Sequence, residues 1–237
     1  MSRALLITLS LAISLTLTPA SSRANPVTTY ALGELPAGAT LHKVTATPVD
    51  YQGRKAIKVE FTDVGSKIES GVSVDNPTFV LIPASFKNGT IEVDILGRLN
   101  GKGPADARAF VGLVYRVVDA DAHFESVYLR PLNGRKKSPP APRDRRAIQY
   151  FAYPDWKFPR LRQEYPDGRY EAGADIADDE WIRLKLDIDD TGVRVSVNGK
   201  EELALTETKA TPAAGAIGLW VGIGAAGYFS NLRLTPR

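Results

Sequence analysis

The sequence contains no cysteine. That excludes disulfide cross-links, thiol nucleophiles and metal sites built on thiolates. Histidine is nearly absent too, with His42 and His123 the only two. Segments of helical period and useful length are missing beyond the N-terminal region, which argues against helical architectures.

Long apolar runs are also scarce. The one present, ALLITLSLAISLTLT, follows Arg3 and leads into Pro19 and the small-residue stretch Ala20 to Ala24. It is short for a membrane span, and it reads as a secretory signal peptide over residues 1–24, with cleavage after Ala24. The expected localisation is periplasmic or secreted in a bacterium. A mature chain without a second apolar run is expected to be soluble and not membrane-bound, held together by its core alone.

What is present is a 237-residue chain, 43% hydrophobic and 24% charged, enough for one domain with a sizeable core. The net charge of +3 falls to +1 once Arg3 and Arg23 leave with the signal, and this small sum hides a strong segregation. From Arg130 to Arg162 ten Lys or Arg face only Asp144 and Asp155, a local +8, against −7 for the rest of the mature chain. Such a stretch can steer an anionic polymer, or it can be a solvated surface loop. Export and the lack of a nucleic-acid motif argue against nucleic acid as a partner.

Residues 25–49 are punctuated by Pro26, Pro36 and Pro48 and read as an irregular lead-in, with one strand near Leu41 to Thr45. From residue 50 to 237 a single β-domain is expected. KAIKVEF, TFVLI and TIEVDIL alternate and are bounded by turn residues. AFVGLVYRVVDADAHFESVYLRP reads as a central strand pair, and Pro139, Pro140 and Pro142 then hold the basic segment GRKKSPPAPRDRR off any sheet. AIQYFAY, EWIRLKLD and VRVSV resume the pattern, and Asn198-Gly199 signals a two-residue hairpin. About a dozen short strands in one cysteine-free domain imply an all-β, two-sheet antiparallel sandwich.

Three stretches carry a resemblance: HFESVYLRPLNG, EWIRLKLDIDDTGVRVSVNGKEEL and GAIGLWVGIGAAGYFSNLRL. Together they resemble the concanavalin A-like lectin/glucanase jelly rolls, nearest to laminin G-like and 3-keto-disaccharide hydrolase-like domains. The resemblance implies a jelly roll that binds or cleaves carbohydrate; it does not choose between the two. The glucanase branch carries a Glu-x-Asp-x-x-Glu strand, whereas here Glu92-Val93-Asp94-Ile95-Leu96-Gly97 lacks the second Glu. A retaining glycosidase needs two carboxyls about 5 Å apart, so that mechanism finds no support in this strand.

Alternation on the central pair puts Gly112, Val114 and Arg116 on one face, and Ser126, Tyr128 and Arg130 on the matching face. We take this as the exposed concave side. Arg116, Tyr128, Arg130, Gln149, Tyr153 and Trp156 are then the candidate ligand contacts, because guanidinium forks bond carboxylates or vicinal hydroxyls and rings stack on sugars. The alternative is that they are solvated strand positions. Glu125, His123 and Tyr128 are the candidate acid/base groups, although Glu125 turned inward would need Arg116 or His123 as an ion-pair partner. No cofactor is expected; Asp119 and Asp121 can hold calcium or simply make a turn. Trp181 and Trp220 are assigned to the core on pattern.

Overall fold

The computed structural model describes residues 26–62, 75–120 and 122–237; the proposed signal lies outside the described residues. Along the chain run β1 (Thr28–Tyr30), β2 (Thr40–His42), β3 (Val44–Tyr51), β4 (Arg54–Phe61), β5 (Phe79–Phe86), β6 (Gly89–Leu99), β7 (Val111–Asp119) and β8 (His123–Leu129). Then come β9 (Ile148–Tyr153), the short helix α1 (Phe158–Glu164), β10 (Glu171–Ala172), β11 (Ile182–Ile188), β12 (Val193–Val197), β13 (Lys200–Leu205), β14 (Gly215–Val221) and β15 (Ala225–Pro236).

They form two antiparallel sheets. One has the order β13-β12-β11-β6-β15-β4-β3 with β1 added on β15; the other has the order β10-β9-β8-β7-β14-β5-β2. No helix among the described residues is long and apolar enough to cross a membrane.

The first sheet follows the period-2 rule. On β11, Ile182, Leu184, Leu186 and Ile188 are buried while Arg183, Lys185 and Asp187 between them are not. Its buried residues join Ile91, Val93 and Ile95 of β6 in the core between the sheets. The β12–β13 turn has Asn198 at φ 51° and Gly199 at φ 84°, both positive as a type I′ hairpin demands.

The central strands β7, β8 and β9 of the second sheet are buried on both faces along most of their length. Val111, Leu113 and Tyr115 pair with Leu129, Val127 and Glu125 and share the inner side. On the outer side an aromatic layer runs across four strands: Phe79 to Phe124 at 5.3 Å, Phe124 to Phe151 at 5.8 Å, and Tyr128 to Trp220 at 4.8 Å between ring centres. Gly112 lies within this layer, and a side chain there would meet Tyr128 at 2.5 Å. Residues 75–78 and the start of α1 lie against it. Trp220 Nε1 donates to the Asn76 carbonyl at 2.8 Å, Thr78 Oγ1 to the Val221 carbonyl at 2.6 Å, and the Phe158 amide to Asp75 Oδ2 at 2.6 Å.

Three sequence expectations need correction. Residues 25–49 are not an irregular lead-in, because they supply β1, β2 and most of β3 and so edge strands to both sheets. Trp181 is not in the main core; it packs with Ala56, Leu96, Ala226 and Tyr228 in a small cluster of its own, with the Arg54 guanidinium 5.0 Å from its ring centre. Trp220 is fully buried as expected.

The third concerns the basic segment, which is neither loose nor uncompensated. It folds into short 3-10 turns over Pro131–Asn133, Arg135–Lys137 and Arg143–Arg145. Arg135 reaches Asp175 and Glu202, Lys136 reaches Glu180, and Lys137 reaches Asp178. Acidic residues later in the sequence thus pair with the first half of the basic segment in space.

Candidate functional site

The central pair β7–β8 positions the site through one irregularity. Past Tyr115 the register with β8 slips, and Arg116 takes φ 53°, a left-handed conformation rare outside glycine. The bulge turns Arg116 away from the face of Gly112 and Val114, toward Glu125. Arg116 Nη1 donates to Glu125 Oε1 at 2.7 Å, Nε to the Lys87 carbonyl at 2.8 Å, and Nη2 to Asn88 Oδ1 at 2.8 Å and the Asp189 carbonyl at 2.6 Å. Tyr150 Oη donates to the other carboxylate oxygen of Glu125 at 2.5 Å and accepts from the Lys209 amide at 2.8 Å. Burial pushes the Glu125 carboxyl above its ordinary range against these bonds from Tyr150 and Arg116, and it raises the Tyr115 and Tyr150 hydroxyls well above theirs.

This ion pair forms part of the lining of an open cleft of about 380 Å³ at the β7–β8 end of the sandwich. His123, Phe124, Tyr153, Asp155, Trp156, Lys209 and the exposed Val118 also line it. Phe124 stacks on Tyr153 at 4.9 Å and 5° between planes, and the Lys157 ammonium sits 4.9 Å from the same ring. Arg160 lies 3.9 Å from the Trp156 ring centre. Lys209 is caged by Trp156, Tyr165 and Tyr170 at 4.9, 4.4 and 5.5 Å, and it donates to Tyr165 Oη and to Glu207. The aromatic walls are therefore held rigidly.

Five of the sequence candidates meet here: Arg116, Glu125, His123, Tyr153 and Trp156. Three do not. Tyr128, Arg130 and Gln149 were expected on an exposed concave face, yet they are 0%, 4% and 0% exposed, and Arg116 is 3% exposed. The reason is the covering of the outer aromatic layer described above. Arg130 Nη2 donates to Tyr128 Oη at 2.8 Å and Gln149 Oε1 at 2.9 Å, and Nη1 to Glu171 Oε1 at 2.9 Å. Glu171 also receives Arg162 on both oxygens and Arg146 at 3.5 Å. Burial alone would push the Glu171 carboxyl up, but the Arg162 bonds and the charges of Arg130, Arg162 and Arg146 hold it below its ordinary range.

Asp75 sits beside this group, buried, and burial pushes its carboxyl up to about 6 against the Phe158 amide bond and the Arg130 charge. The Asp119 carbonyl accepts the Ala122 amide at 3.1 Å in the turn considered for calcium; Asp121 lies outside the described residues.

Asp155, Lys209 and Glu171 had not been singled out. Asp155 stands between Pro154 and Trp156, next to two candidates, and could have been found there. Lys209 and Glu171 become visible only once remote segments pack together.

The two antiparallel sheets form a jelly-roll sandwich. No protein-family model matches the sequence, and no curated protein matches it. Among solved structures, a Bacillus subtilis protein of unknown function with a galectin-like fold superposes with a TM-score of 0.52 at 9% identity, covering 91% of this chain and 99% of that one. A candidate glycosyl hydrolase from Parabacteroides distasonis gives 0.51 at 11% identity, covering 89% of this chain and 100% of that one. The carbohydrate-binding module CBM66 from Bacillus subtilis gives 0.49 at 13% identity, over 82% and 96%. At these identities the likeness is one of fold.

Proposed function

We propose that this is a carbohydrate-binding jelly roll, exported by its N-terminal segment, whose ligand enters the cleft between Tyr153, Trp156, His123 and Asp155. The observation that carries the reading is that cleft: two fixed aromatic rings and two open hydrogen-bonding side chains converge in a volume of about 380 Å³. Ligand sites are concave, with apolar walls and a few placed polar groups, and a sugar ring offers both an apolar side and hydroxyls. Likeness of fold to a candidate glycosyl hydrolase is compatible with this reading, though fold alone does not assign a site.

Glycoside cleavage is the second reading, and one observation favours it: two carboxylates, Glu125 and Asp155, line the cleft, and Glu125 has its affinity for a proton raised. Against it, both Glu125 oxygens are occupied by Arg116 and Tyr150, which suits a fixed floor better than a proton carrier.

A panel of soluble glycans tested for binding by calorimetry and for release of reducing ends separates the two. Binding without release, weakened at least about tenfold by Tyr153→Ala or Trp156→Ala in a folded variant, is the expected result. Absence of binding to every glycan would overturn the proposal. Release that is lost in Glu125→Gln would move the assignment to the enzyme.

A further inference from the structure

The geometry points to an uncharged glycan as the ligand of this cleft, read by the Asp155 carboxylate and the His123 ring and not by any arginine or lysine. This inference rests on the reading of the cleft as a carbohydrate site.

The sequence carries a strong positive bias between Arg130 and Arg162, which suggests an anionic ligand. In the folded chain the arginine and lysine that line the cleft, Arg116 and Lys209, are already committed to protein groups. Each of the three nitrogens of Arg116 is bonded to protein, to Glu125, Asn88, Lys87 and Asp189, so no guanidinium edge is left to fork onto a carboxylate or sulfate in the cleft. Lys209 gives its ammonium to Tyr165 and Glu207 inside an aromatic cage. Arg160, over Trp156, is bonded to Glu164 at 2.7 Å, and Lys157 lies over the Tyr153 ring without entering the lining of the cleft. Farther out, Lys136 and Lys137 are paired with Glu180 and Asp178, and Arg130, Arg146 and Arg162 converge on Glu171.

One cleft-lining charge has no ion-pair partner among the described residues, and it is negative: Asp155, exposed at the rim. A carboxylate accepts hydrogen bonds and donates none, so it suits the hydroxyls of a neutral sugar and repels a uronate or sulfate. His123, also exposed, adds a ring nitrogen able to donate or accept.

The test compares neutral and acidic glycans, at low salt and at about 1 M NaCl, where exposed charges separated by more than about 3 Å are screened. Binding confined to neutral glycans and changed less than about twofold by the salt supports the inference. Asp155→Lys, at an exposed position that leaves the core untouched, is expected to weaken neutral binding and to gain acidic-glycan binding by at least about tenfold at low salt. Salt-sensitive binding of acidic glycans alone by the unaltered protein would overturn the inference and leave carbohydrate binding standing. Failure to bind either class would overturn both.

Discussion

The Arg116 guanidinium closes on Glu125 at 2.7 Å with side-chain exposures of only 2% and 0%, and the same guanidinium holds the Asn88 side chain and the Asp189 carbonyl. Asn88 lies in the crossing from β5 of one sheet to β6 of the other, and Asp189 follows β11. One arginine thus ties the second sheet to two turns of the first. Removing one member of such a pair strands a buried charge and costs about 3–5 kcal/mol, whereas replacing both by apolar groups is often near neutral. Arg116→Ala is therefore expected to unfold at markedly lower urea concentration, and Arg116→Met with Glu125→Leu to recover much of the loss. A single variant costing less than about 1 kcal/mol would show that the pair does not staple the sandwich.

Asp75 should make stability depend on pH in a definite direction. Its carboxyl is raised from the ordinary 3.8 to about 6 in the folded chain. The folded state therefore holds the proton more tightly, and the associated stability is complete below about pH 4 and lost as pH rises through about 6. Measured against Asp75→Asn, whose amide does not titrate, the wild-type protein is expected to lose on the order of 3 kcal/mol between those values. A difference that stays flat with pH would show that Asp75 titrates normally.

Arg130 is a fold residue, and the sequence pointed the other way. Its contacts to Glu171, Tyr128 and Gln149 are internal, so Arg130→Ala is expected to lower the melting temperature while leaving the glycan affinity of the folded fraction within about twofold. Loss of binding at unchanged stability would place Arg130 in the site after all.

Strand periodicity made most of this architecture legible. The first sheet alternates as EWIRLKLD and VRVSV do, and Asn198-Gly199 turned where its dipeptide said it would. The second sheet misled because AFVGLVY and AIQYFAY are apolar at nearly every position, the signature of strands covered on both faces, and not of a sheet with one wet side. Reading an outer face there moved Tyr128, Arg130 and Gln149 from a core network into a binding surface. The bulge at Arg116 has no sequence signal, since a positive φ at arginine is a local cost set by the tertiary bonds it permits. The strand expected near Leu41 to Thr45 covers parts of β2 and β3, and the rest of β3 was hidden by Pro48, which an edge strand tolerates.

Lys209 carries the last expectation. Its segment, from Thr206 to Pro212, crosses from the first sheet to the second and forms one wall of the cleft. Three things pin that wall: the Thr208 amide on the Thr191 carbonyl at 3.1 Å, the Lys209 amide on Tyr150, and the ammonium caged by Trp156, Tyr165 and Tyr170 with its side chain 6% exposed. A desolvated cation over rings contributes on the order of 1–2 kcal/mol. Lys209→Met keeps the length of the side chain but removes the charge, so the amides of residues 206–211 should exchange hydrogen about five- to thirtyfold faster while those of β8 and β9 stay protected. Glycan affinity should fall with the loosened wall, and Lys209→Arg, which keeps a cation against the rings, should restore part of it. Unchanged exchange in Lys209→Met would mean that the backbone bonds to Tyr150 and Thr191 fix the wall, and that the cage is packing without mechanical consequence.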